Sequence, residues 1–402
     1  MTSRPTAVRP PSSRPRLRLG ILFLAVFVDL VGFGIVLPLL PFYADRFGAS
    51  GVEIGVLVLS YSAAQLLLAP VWGRLSDRFG RRPILIVGLL GSAASYVVFA
   101  YADSLAVLLL SRIMAGVGGA NIPVAQAYIA DITPPERRAA NMGLIGAAFG
   151  LGFIFGPAIG GVLAPVSTAA PGLAAAGLCA GNAVLALFHL PESLPSEERA
   201  LHARRRAESP GGGRKLSVAL LHPALLQLLL LSFLFTVAFS AMHPTFPLFA
   251  AERFGLDERG VGYVFAFLGV VSAIMQGGLV RVLAPRFGEA ALIRGCSLFF
   301  VAGLLTIAWA PTIPYLLGGL SLLAIGFGGT LPSLVSLISR LTPPELQGGS
   351  LGVGQSVGAL GRMLGPLLAG IAFDHLGIAW PYVVGALIAA LAALVGLRIR
   401  QP

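Results

Sequence analysis

The sequence predicts an all-α integral membrane protein with twelve transmembrane helices. Of its 402 residues, 56% are hydrophobic and only 11% are charged, and the mean hydropathy is +0.87. Soluble domains carry about 25% charged residues, so this chain has too few polar side chains to cover a water-facing fold. Apolar stretches of the roughly 20 residues that a helix needs to cross a bilayer recur along the whole chain.

These stretches favour helices over barrel strands, because they lack the alternation of lipid-facing and lumen-facing residues that a barrel requires. A helix also satisfies its own backbone hydrogen bonds inside lipid. We predict spans at 19–42, 54–73, 83–101, 105–129, 141–164, 172–190, 222–249, 260–280, 290–309, 313–338, 349–372 and 377–397.

The spans divide into two six-helix bundles, at 19–190 and 222–402. Residues 1–18 are predicted to form a cytoplasmic tail, and the polar, glycine-rich stretch 191–221 a cytoplasmic linker. Short motifs recur in register between the halves: Thr133-Pro-Pro-Glu136 returns as Thr342-Pro-Pro-Glu345. Because each half crosses six times, the copies are related by a pseudo-two-fold axis along the membrane normal. That arrangement places a substrate site between the halves, near the bilayer midplane.

The net charge of +11 is concentrated on one side of the predicted membrane. Of the 28 Lys and Arg residues, 23 lie in the termini, in alternate loops or, for Arg294, at the adjoining start of a span; three lie on the side of the other loops, and two lie deeper within spans. Basic residues remain on the cytoplasmic side, so both termini are predicted to be cytoplasmic. This distribution follows the membrane and argues against a nucleic-acid partner. We predict no metal site and no cofactor, since no cluster of ligand residues occurs in the loops.

Three glycine-rich motifs accompany the spans. The hairpin between the second and third spans contains Gly73, Asp77, Arg78, Gly80, Arg81 and Arg82. The motif of the fourth span begins at Arg112. The fifth contains Gly152, Gly156, Pro157, Gly160 and Gly161. The first span has an isolated acid, Asp29, followed by Gly32-Phe-Gly34 and Pro38.

Together these motifs resemble the major facilitator superfamily of membrane transporters, and the first and fifth spans are similar to its bacterial tetracycline/proton antiporters. The resemblance implies a gate in which Arg81 pairs with Asp131 while Asp77 approaches the helix start near Gly349. The alternative is that these arginines are only topology signals. The resemblance also implies that a bend at Pro157 selects the open face, whereas the glycines of that motif are equally explained by close helix packing.

Asp29 is the most informative residue, because it is the one acid deep within a predicted span. A charged Asp at the bilayer centre costs roughly 2.5–3.5 kcal/mol, so function is the default interpretation. Arg112, at a comparable depth, is its expected partner. Either this pair couples proton release to transport, or it is a static contact that fixes helix packing. The second acid that tetracycline exporters carry in the third helix is replaced here by Ser95-Tyr96.

A cavity between the halves is predicted to contain mainly aromatic and soft side chains that suit apolar ligands. Its candidate residues are Phe33, Asn121, Phe239, Met242, His243, Phe327 and Arg362. Packing alone explains several of them equally well. Arg362 is expected to bind either an anionic substrate or backbone carbonyls, and His243 either to titrate or to serve as a hydrogen-bonded residue at a helix kink.

The sequence therefore predicts a secondary transporter, not an enzyme, that exports small amphipathic compounds in exchange for protons. The alternative is a sugar or metabolite symporter or uniporter of the same fold. We expect a monomer in a bacterial inner (plasma) membrane, with protons, lipid and a small-molecule substrate as its partners.

Overall fold

The computed structural model describes residues 15–133, 135–194, 199, 222–342 and 347–399. Most of the predicted tail and linker lies outside these ranges. Within them the chain forms twelve main helices and no strand. The helices are α1 (Pro15–Val36), α2 (Gly51–Phe79), α3 (Arg81–Ala100), α4 (Leu105–Ile132), α5 (Pro135–Leu163), α6 (Ala170–His189), α7 (Pro223–Phe254), α8 (Glu258–Phe287), α9 (Glu289–Ala308), α10 (Ile313–Leu341), α11 (Gln347–Leu376) and α12 (Trp380–Gly396). A short helix, Leu40–Asp45, follows α1.

The predicted twelve-helix membrane fold is confirmed. Among the described residues, ten helices are long and apolar enough to cross a bilayer, and two shorter apolar helices, Ala147–Leu163 and Trp380–Gly396, supply the other crossings. The helices agree with the predicted spans in number and order. The length of each apolar run determined this result, since about 20 residues match the thickness of the hydrocarbon core.

Helices α1–α6 and α7–α12 each form a bundle with its own apolar core. The second bundle has one continuous cluster that includes Phe235, Phe300 and Tyr382. The first bundle has two clusters, one containing Phe99 and the other Tyr128. Each half therefore has its own core, although Phe42 of the first half packs against the core of the second and Leu248 of the second half packs against a core of the first.

Three of the spans are irregular within their length. A 3-10 turn at Gly119–Asn121 interrupts α4 just before Pro123. Helix α7 breaks at Ala241, between the segments Pro223–Ser240 and Met242–Phe254. Helix α8 contains a π-helical turn at Met275–Leu279. Such interruptions occur frequently at functional sites, because they redirect side chains and free backbone groups.

The two bundles touch through α2 with α11 and through α5 with α8. We call the end of the molecule that carries the α2–α3 connection the arginine-rich face, and the end that carries the helix Leu40–Asp45 the opposite face. Near the opposite face the backbones nearly meet. A Cβ atom at Gly55 would lie 2.5 Å from the Pro366 carbonyl oxygen, and one at Gly262 would lie 2.8 Å from the Gly161 Cα. Small residues permit this close approach.

The same helices separate toward the arginine-rich face. A Cβ atom at Gly150 of α5 or at Gly277 of α8 would meet no neighbouring atom within 4 Å. The last eight residues of α8, Val280–Phe287, include no buried side chain. The groove between the bundles is therefore open at the arginine-rich face and closed at the opposite face.

Polar contacts join the two bundles at the opposite face. Arg46 Nη2 lies 2.7 Å from Glu258 Oε1. Asp374, near the end of α11, accepts hydrogen bonds from the backbone N–H groups of Gly51 at 2.7 Å and Val52 at 2.9 Å. These two donors belong to the first turn of α2, where backbone N–H groups have no partner within the helix and the macrodipole favours an anion.

Tyr43 anchors the short helix at this closed end. Its hydroxyl donates to the Thr168 carbonyl oxygen at 2.6 Å, and the Arg46 guanidinium lies 5.1 Å from its ring centroid. Burial raises the pKa of Tyr43 to about 12, although the nearby Arg46 charge lowers it. The phenol therefore remains neutral and continues to donate its proton across the physiological pH range.

Candidate functional site

Asp29 lies partly buried where α1 meets α3 and α6. The Ser92 hydroxyl hydrogen-bonds to its carboxyl group, and the Cys179 thiol sulfur lies 4.0 Å from its Oδ1. Both contacts are neutral. Among the described residues no cation forms an ion pair with Asp29.

The expected pair between Asp29 and Arg112 does not form in this structure. Arg112 is 2% exposed, and its guanidinium carbon lies 5.0 Å from the ring centroid of Phe99 and 6.0 Å from that of Tyr96. Its Nε donates to the Ser111 hydroxyl at 3.3 Å, while Nη2 has no partner among the described residues. The aromatic faces stabilise the cation in place of a carboxylate.

Two tyrosines that the sequence analysis did not select fill the space around these charges. Tyr61 on α2 interacts electrostatically with Asp29, Arg112 and Arg362, and the Gln65 side-chain amide lies 3.5 Å from its hydroxyl. Tyr96 on α3 interacts electrostatically with Asp29 and Arg112. The sequence offers one signal for Tyr61, since Tyr61 and Gln65 form a polar pair one helical turn apart in an apolar span.

An aromatic row crosses from one bundle to the other beside Asp29. Phe33 lies 4.8 Å from Tyr61 and 6.0 Å from Phe153, measured between ring centroids. Phe153 of α5 then lies 6.3 Å from His243 of α7. The row continues in the second bundle, where Phe239 stacks on Phe327 at 3.8 Å. Such a row offers an apolar aromatic surface between the halves.

The predicted cavity residues occupy different environments. Phe33, Phe239 and Phe327 belong to the aromatic row. Asn121 does not, because its amide packs against Gly88 of α3 and donates to the Leu85 carbonyl oxygen at 3.2 Å. Met242 is 1% exposed and packs within the core of the second bundle.

His243 sits at the break of α7. Its Nδ1 lies 3.3 Å from the Ser240 carbonyl oxygen, and its ring contacts Phe239 at 5.2 Å. This geometry supports the interpretation of a hydrogen-bonded histidine at a helix kink. Arg362 of α11 differs from the other candidates, because its side chain is exposed although it lies within a span. It interacts electrostatically with Tyr61 across the interface between the bundles.

The predicted contact between Arg81 and Asp131 is present. Arg81 Nε lies 3.2 Å from Asp131 Oδ2, and its Nη1 donates to Asp77 Oδ1 at 2.6 Å and to the Ser76 hydroxyl at 2.7 Å. Glu192 adds a further hydrogen bond: its carboxylate accepts the Arg81 backbone N–H at 2.8 Å. These bonds join the start of α3 to the ends of α2, α4 and α6.

The other residues of the predicted gate belong to the same segment of the chain as this arginine. Gly80 adopts φ 105°, which suits glycine, and Glu192 occupies the space where a side chain would lie. Arg82 also binds Glu192 through its backbone N–H, whereas Arg78 is exposed beside Phe79. Gly73 has no neighbouring atom within 4 Å of a Cβ position. The side-chain environment of the helix start near Gly349 lies outside the described part of the chain. The predicted approach of Asp77 to it therefore stays a prediction.

The second bundle contains the corresponding ion pair with the charges exchanged. Glu289, at the start of α9, accepts two hydrogen bonds from Arg340, near the end of α10, each at 2.9 Å. Glu289 also accepts the Ser336 hydroxyl at 3.1 Å. Arg81 and Asp131 occupy the equivalent helix ends in the first bundle. Both halves thus have an ion pair between the two equivalent helices, but the acidic and basic residues exchange places.

The glycines of the fifth span pack α5 directly on α1. A Cβ atom at Gly152 would lie 2.8 Å from the Leu30 Cβ, and one at Gly156 would lie 2.6 Å from the Gly34 Cα. Gly160 makes the same kind of contact, at 2.7 Å from the Ile35 carbonyl oxygen. These contacts press α1, which carries Asp29, against the helix that lines the interface between the bundles.

The site therefore combines one carboxyl group, two arginines without carboxylate partners among the described residues, and an aromatic surface, all inside a two-bundle membrane fold. Within the described ranges no three His, Cys, Asp or Glu residues are grouped so that they could hold a metal ion. This architecture is that of a membrane transporter.

Comparison with known proteins identifies the family. The sequence profile of the Major Facilitator Superfamily matches residues 22–362 and 282–402, and the chain belongs to this superfamily of transporters. It is 34% identical to the "Tetracycline resistance protein, class C" of Escherichia coli, over 90% of this chain and 91% of that protein. It is 31% identical to the "Multidrug resistance protein 2" of Bacillus subtilis, with 95% and 94% of the two chains covered.

A solved structure gives the same result at the level of the fold. The crystal structure of the human organic anion transporter MFSD10 (TETRAN) superposes with a TM-score of 0.72 at 29% identity, and the match covers 96% of this chain and all of that one. The resemblance to the major facilitator superfamily and to tetracycline exporters is thus confirmed, and the chain is similar both to drug-resistance proteins and to an organic anion transporter.

Proposed function

We propose that this transporter exports small amphipathic compounds in exchange for protons, with Asp29 as the proton carrier. The observation that carries the proposal is the neutral environment of Asp29, whose described partners are a hydroxyl and a thiol. A carboxyl group that is not locked to a cation is free to bind and release a proton as its surroundings change. A static pair with Arg112 would have opposed that exchange.

The aromatic row beside Asp29 supplies the complementary surface for an amphipathic compound. Flat rings from both bundles form it, so a bound compound contacts both halves at once. The groove can open at one face or at the other. Protonation of Asp29 and binding of a compound to the aromatic row both shift the equilibrium between these two conformations. The names of the drug-resistance relatives support outward transport of this kind.

The energetics permit such an exchange. A membrane potential of about 100 mV supplies roughly 2.3 kcal/mol for each charge that moves. One proton exchanged for a neutral compound therefore supports an about 50-fold gradient, since 1.4 kcal/mol corresponds to a factor of ten. The presence of one carboxyl group at this site favours one proton in each cycle.

Organic anions are a second candidate class of substrate. Arg112 and Arg362 form no ion pair among the described residues, so the site carries excess positive charge. The similarity to the human organic anion transporter points the same way. Export of a monovalent anion against an entering proton would move two charges inward, so its rate would depend strongly on the membrane potential.

We further propose that both termini lie in the cytoplasm and that the protein resides as a monomer in a bacterial inner membrane. The 23-to-3 distribution of Lys and Arg residues supports this orientation. The arginine-rich face is then the cytoplasmic face, and the groove is open to the cytoplasm.

Transport in inverted membrane vesicles containing a pH-sensitive dye tests the function. In energised vesicles that contain the full chain, addition of a transported compound is expected to release protons from the lumen. Asp29→Asn is expected to abolish this signal. Asp103→Asn, which neutralises an exposed acid after α3, is the matched control and should behave like the wild type. Proton movement in the reverse sense would indicate a symporter, and an unchanged signal in Asp29→Asn would remove Asp29 from this role.

A further inference from the structure

Tyr96 of α3 is a neighbour of both Asp29 and Arg112. Tyr96 is 2% exposed, and its ring lies directly against α1, where a Cβ atom at Gly32 would be 2.9 Å from the ring carbon Cε2. Gly32 follows Asp29 by less than one helical turn. The same ring is close to Arg112, whose guanidinium carbon lies 6.0 Å from the ring centroid, and Tyr96 interacts electrostatically with both Asp29 and Arg112.

We propose that Tyr96 is a positioning residue that separates the Asp29 carboxyl group from the Arg112 guanidinium, and thereby sets the pH at which Asp29 exchanges its proton. The inference rests on the proposed role of Asp29 as the proton carrier. The aromatic ring insulates the carboxyl group from the buried cation and adds no negative charge of its own.

The charged and titratable groups around Asp29 make Arg112 the decisive neighbour. The described groups that interact electrostatically with Asp29 are Tyr61 from α2, Tyr96 from α3 and Cys179 from α6. All three are neutral near pH 7 in an apolar setting. Helix α5 packs on α1 but has no titratable side chain from Gly146 to Leu163. Arg112 of α4 is the cation that interacts with the same two tyrosines.

Removal of the ring is therefore expected to let Arg112 approach Asp29. Its Nη2 has no hydrogen-bond partner among the described residues, so pairing with a carboxylate would satisfy a buried donor. An opposite charge within about 4–6 Å favours the ionised form of a carboxyl group, with an effect of roughly one to three pH units. The variant Tyr96→Ala should consequently lose the Asp29 proton at a lower pH than the wild type does.

The ring and the hydroxyl group of Tyr96 can be separated by substitution. Tyr96→Phe keeps the ring between α1 and Arg112 and removes only the hydroxyl. Tyr96→Leu keeps an apolar side chain at this buried position but removes the flat barrier, and it serves as the second variant if the alanine protein does not fold. Folding is checked for each variant by thermal unfolding of the purified full chain in detergent.

The test measures protonation of Asp29 without requiring transport. Dicyclohexylcarbodiimide reacts with protonated carboxyl groups in apolar surroundings. Mass spectrometry of the peptide that contains Asp29 reports the labelled fraction from pH 5 to pH 9. Asp29→Asn provides the blank. We expect the wild type and Tyr96→Phe to share one midpoint, and Tyr96→Ala and Tyr96→Leu to have midpoints at least about one pH unit lower.

Arg112 must be the cause of the shift if the proposal is correct. The double variant Tyr96→Ala/Arg112→Gln is therefore expected to regain a midpoint close to that of the wild type. An unshifted midpoint in Tyr96→Ala and Tyr96→Leu, or a shift that persists without Arg112, would overturn the role of Tyr96. Because labelling reads the carboxyl group directly, a failure of the vesicle transport assay would count against the proposed function and leave this result interpretable.

Discussion

At the scale of single residues, buried arginines mark the points where helices are tied together. Arg81 is 5% exposed and bonds to a hydroxyl and two carboxylates at the junction of α2, α3 and α4. Arg112 is similarly buried but relies on aromatic faces. The two arginines therefore have different roles. Arg81 has hydrogen-bond partners that hold the helices together, whereas Arg112 has an unused N–H donor that can bind a new partner if the conformation changes.

Replacement of Arg81 by Gln should destabilise the first bundle. The change removes the cation from contacts with Asp131 and Asp77, whose side chains are 15% and 40% exposed, and the loss of hydrogen bonds to charged groups costs about 1.5–3 kcal/mol. Arg78→Gln is the matched control, because Arg78 is exposed three residues earlier in the same motif and should change stability by less than about 0.5 kcal/mol. Thermal unfolding in detergent measures both; equal melting temperatures for the two variants would contradict the structural role of Arg81.

At the scale of helices, the contact between α1 and α5 depends on the absence of side chains. The backbones of Gly34 and Gly156 leave no space for a methyl group, whereas Gly150, two turns earlier in α5, faces open space. The same helix therefore contains glycine positions with strict and with relaxed requirements. Sequence similarity alone does not distinguish them, because both are simply glycine.

Gly156→Ala and Gly150→Ala should consequently differ although they make the same chemical change in one helix. The methyl group at 156 would lie 2.6 Å from the Gly34 Cα and would push α1 and α5 apart. Overpacking of this kind costs about 1–3 kcal/mol. The methyl group at 150 meets no atom and should be neutral or slightly stabilising, as alanine is in a helix. The melting temperatures of the two purified variants give the comparison, and a loss of stability at 150 equal to that at 156 would refute it.

At the scale of the whole molecule, closure at the opposite face rests mainly on Asp374. The Arg46–Glu258 pair is partly exposed, with 46% and 26% of its side chains accessible, and such pairs contribute about 0–1 kcal/mol. Asp374 is exposed as well, but it accepts two backbone N–H groups that have no partner within α2, and hydrogen bonds of this kind contribute about 0.5–1.5 kcal/mol. These contacts must break when the groove opens at that end.

Neutralising Asp374 should therefore shift the molecule toward opening at the opposite face. Asp374→Asn keeps one acceptor oxygen but loses the charge, and we expect an increase of about tenfold in the population open at that end, which corresponds to 1.4 kcal/mol. Distances between spin labels on the helix Leu40–Asp45 and on the start of α8 report the two populations. Arg46→Ala should have a smaller effect, and Glu252→Gln, at an exposed acid nearby, should have none; an unchanged distance distribution in Asp374→Asn would exclude this lock.

The sequence predicted the membrane architecture more completely than the site. Helix number and order follow from apolar length, and the Arg81–Asp131 pair follows from a specific motif. Helix rotation does not follow, since an apolar span shows little contrast between its faces. For that reason Asn121 and Met242 were assigned to the cavity but pack elsewhere, whereas Tyr61, Tyr96 and Phe153 were missed. The position of the Tyr96 ring beside Asp29 and Arg112 follows only from the tertiary structure.

The central claim is that substrate and proton compete through Asp29, and proton release by the purified chain tests it most directly. The wild-type protein in detergent, in weakly buffered solution near pH 7 with a pH indicator dye, receives a saturating amount of a transported compound. We expect up to one proton released for each protein molecule, and none from Asp29→Asn that still binds the compound. Equal proton release by the wild type and Asp29→Asn, or no release from a wild type that binds the compound at any pH from 5 to 9, would contradict the claim.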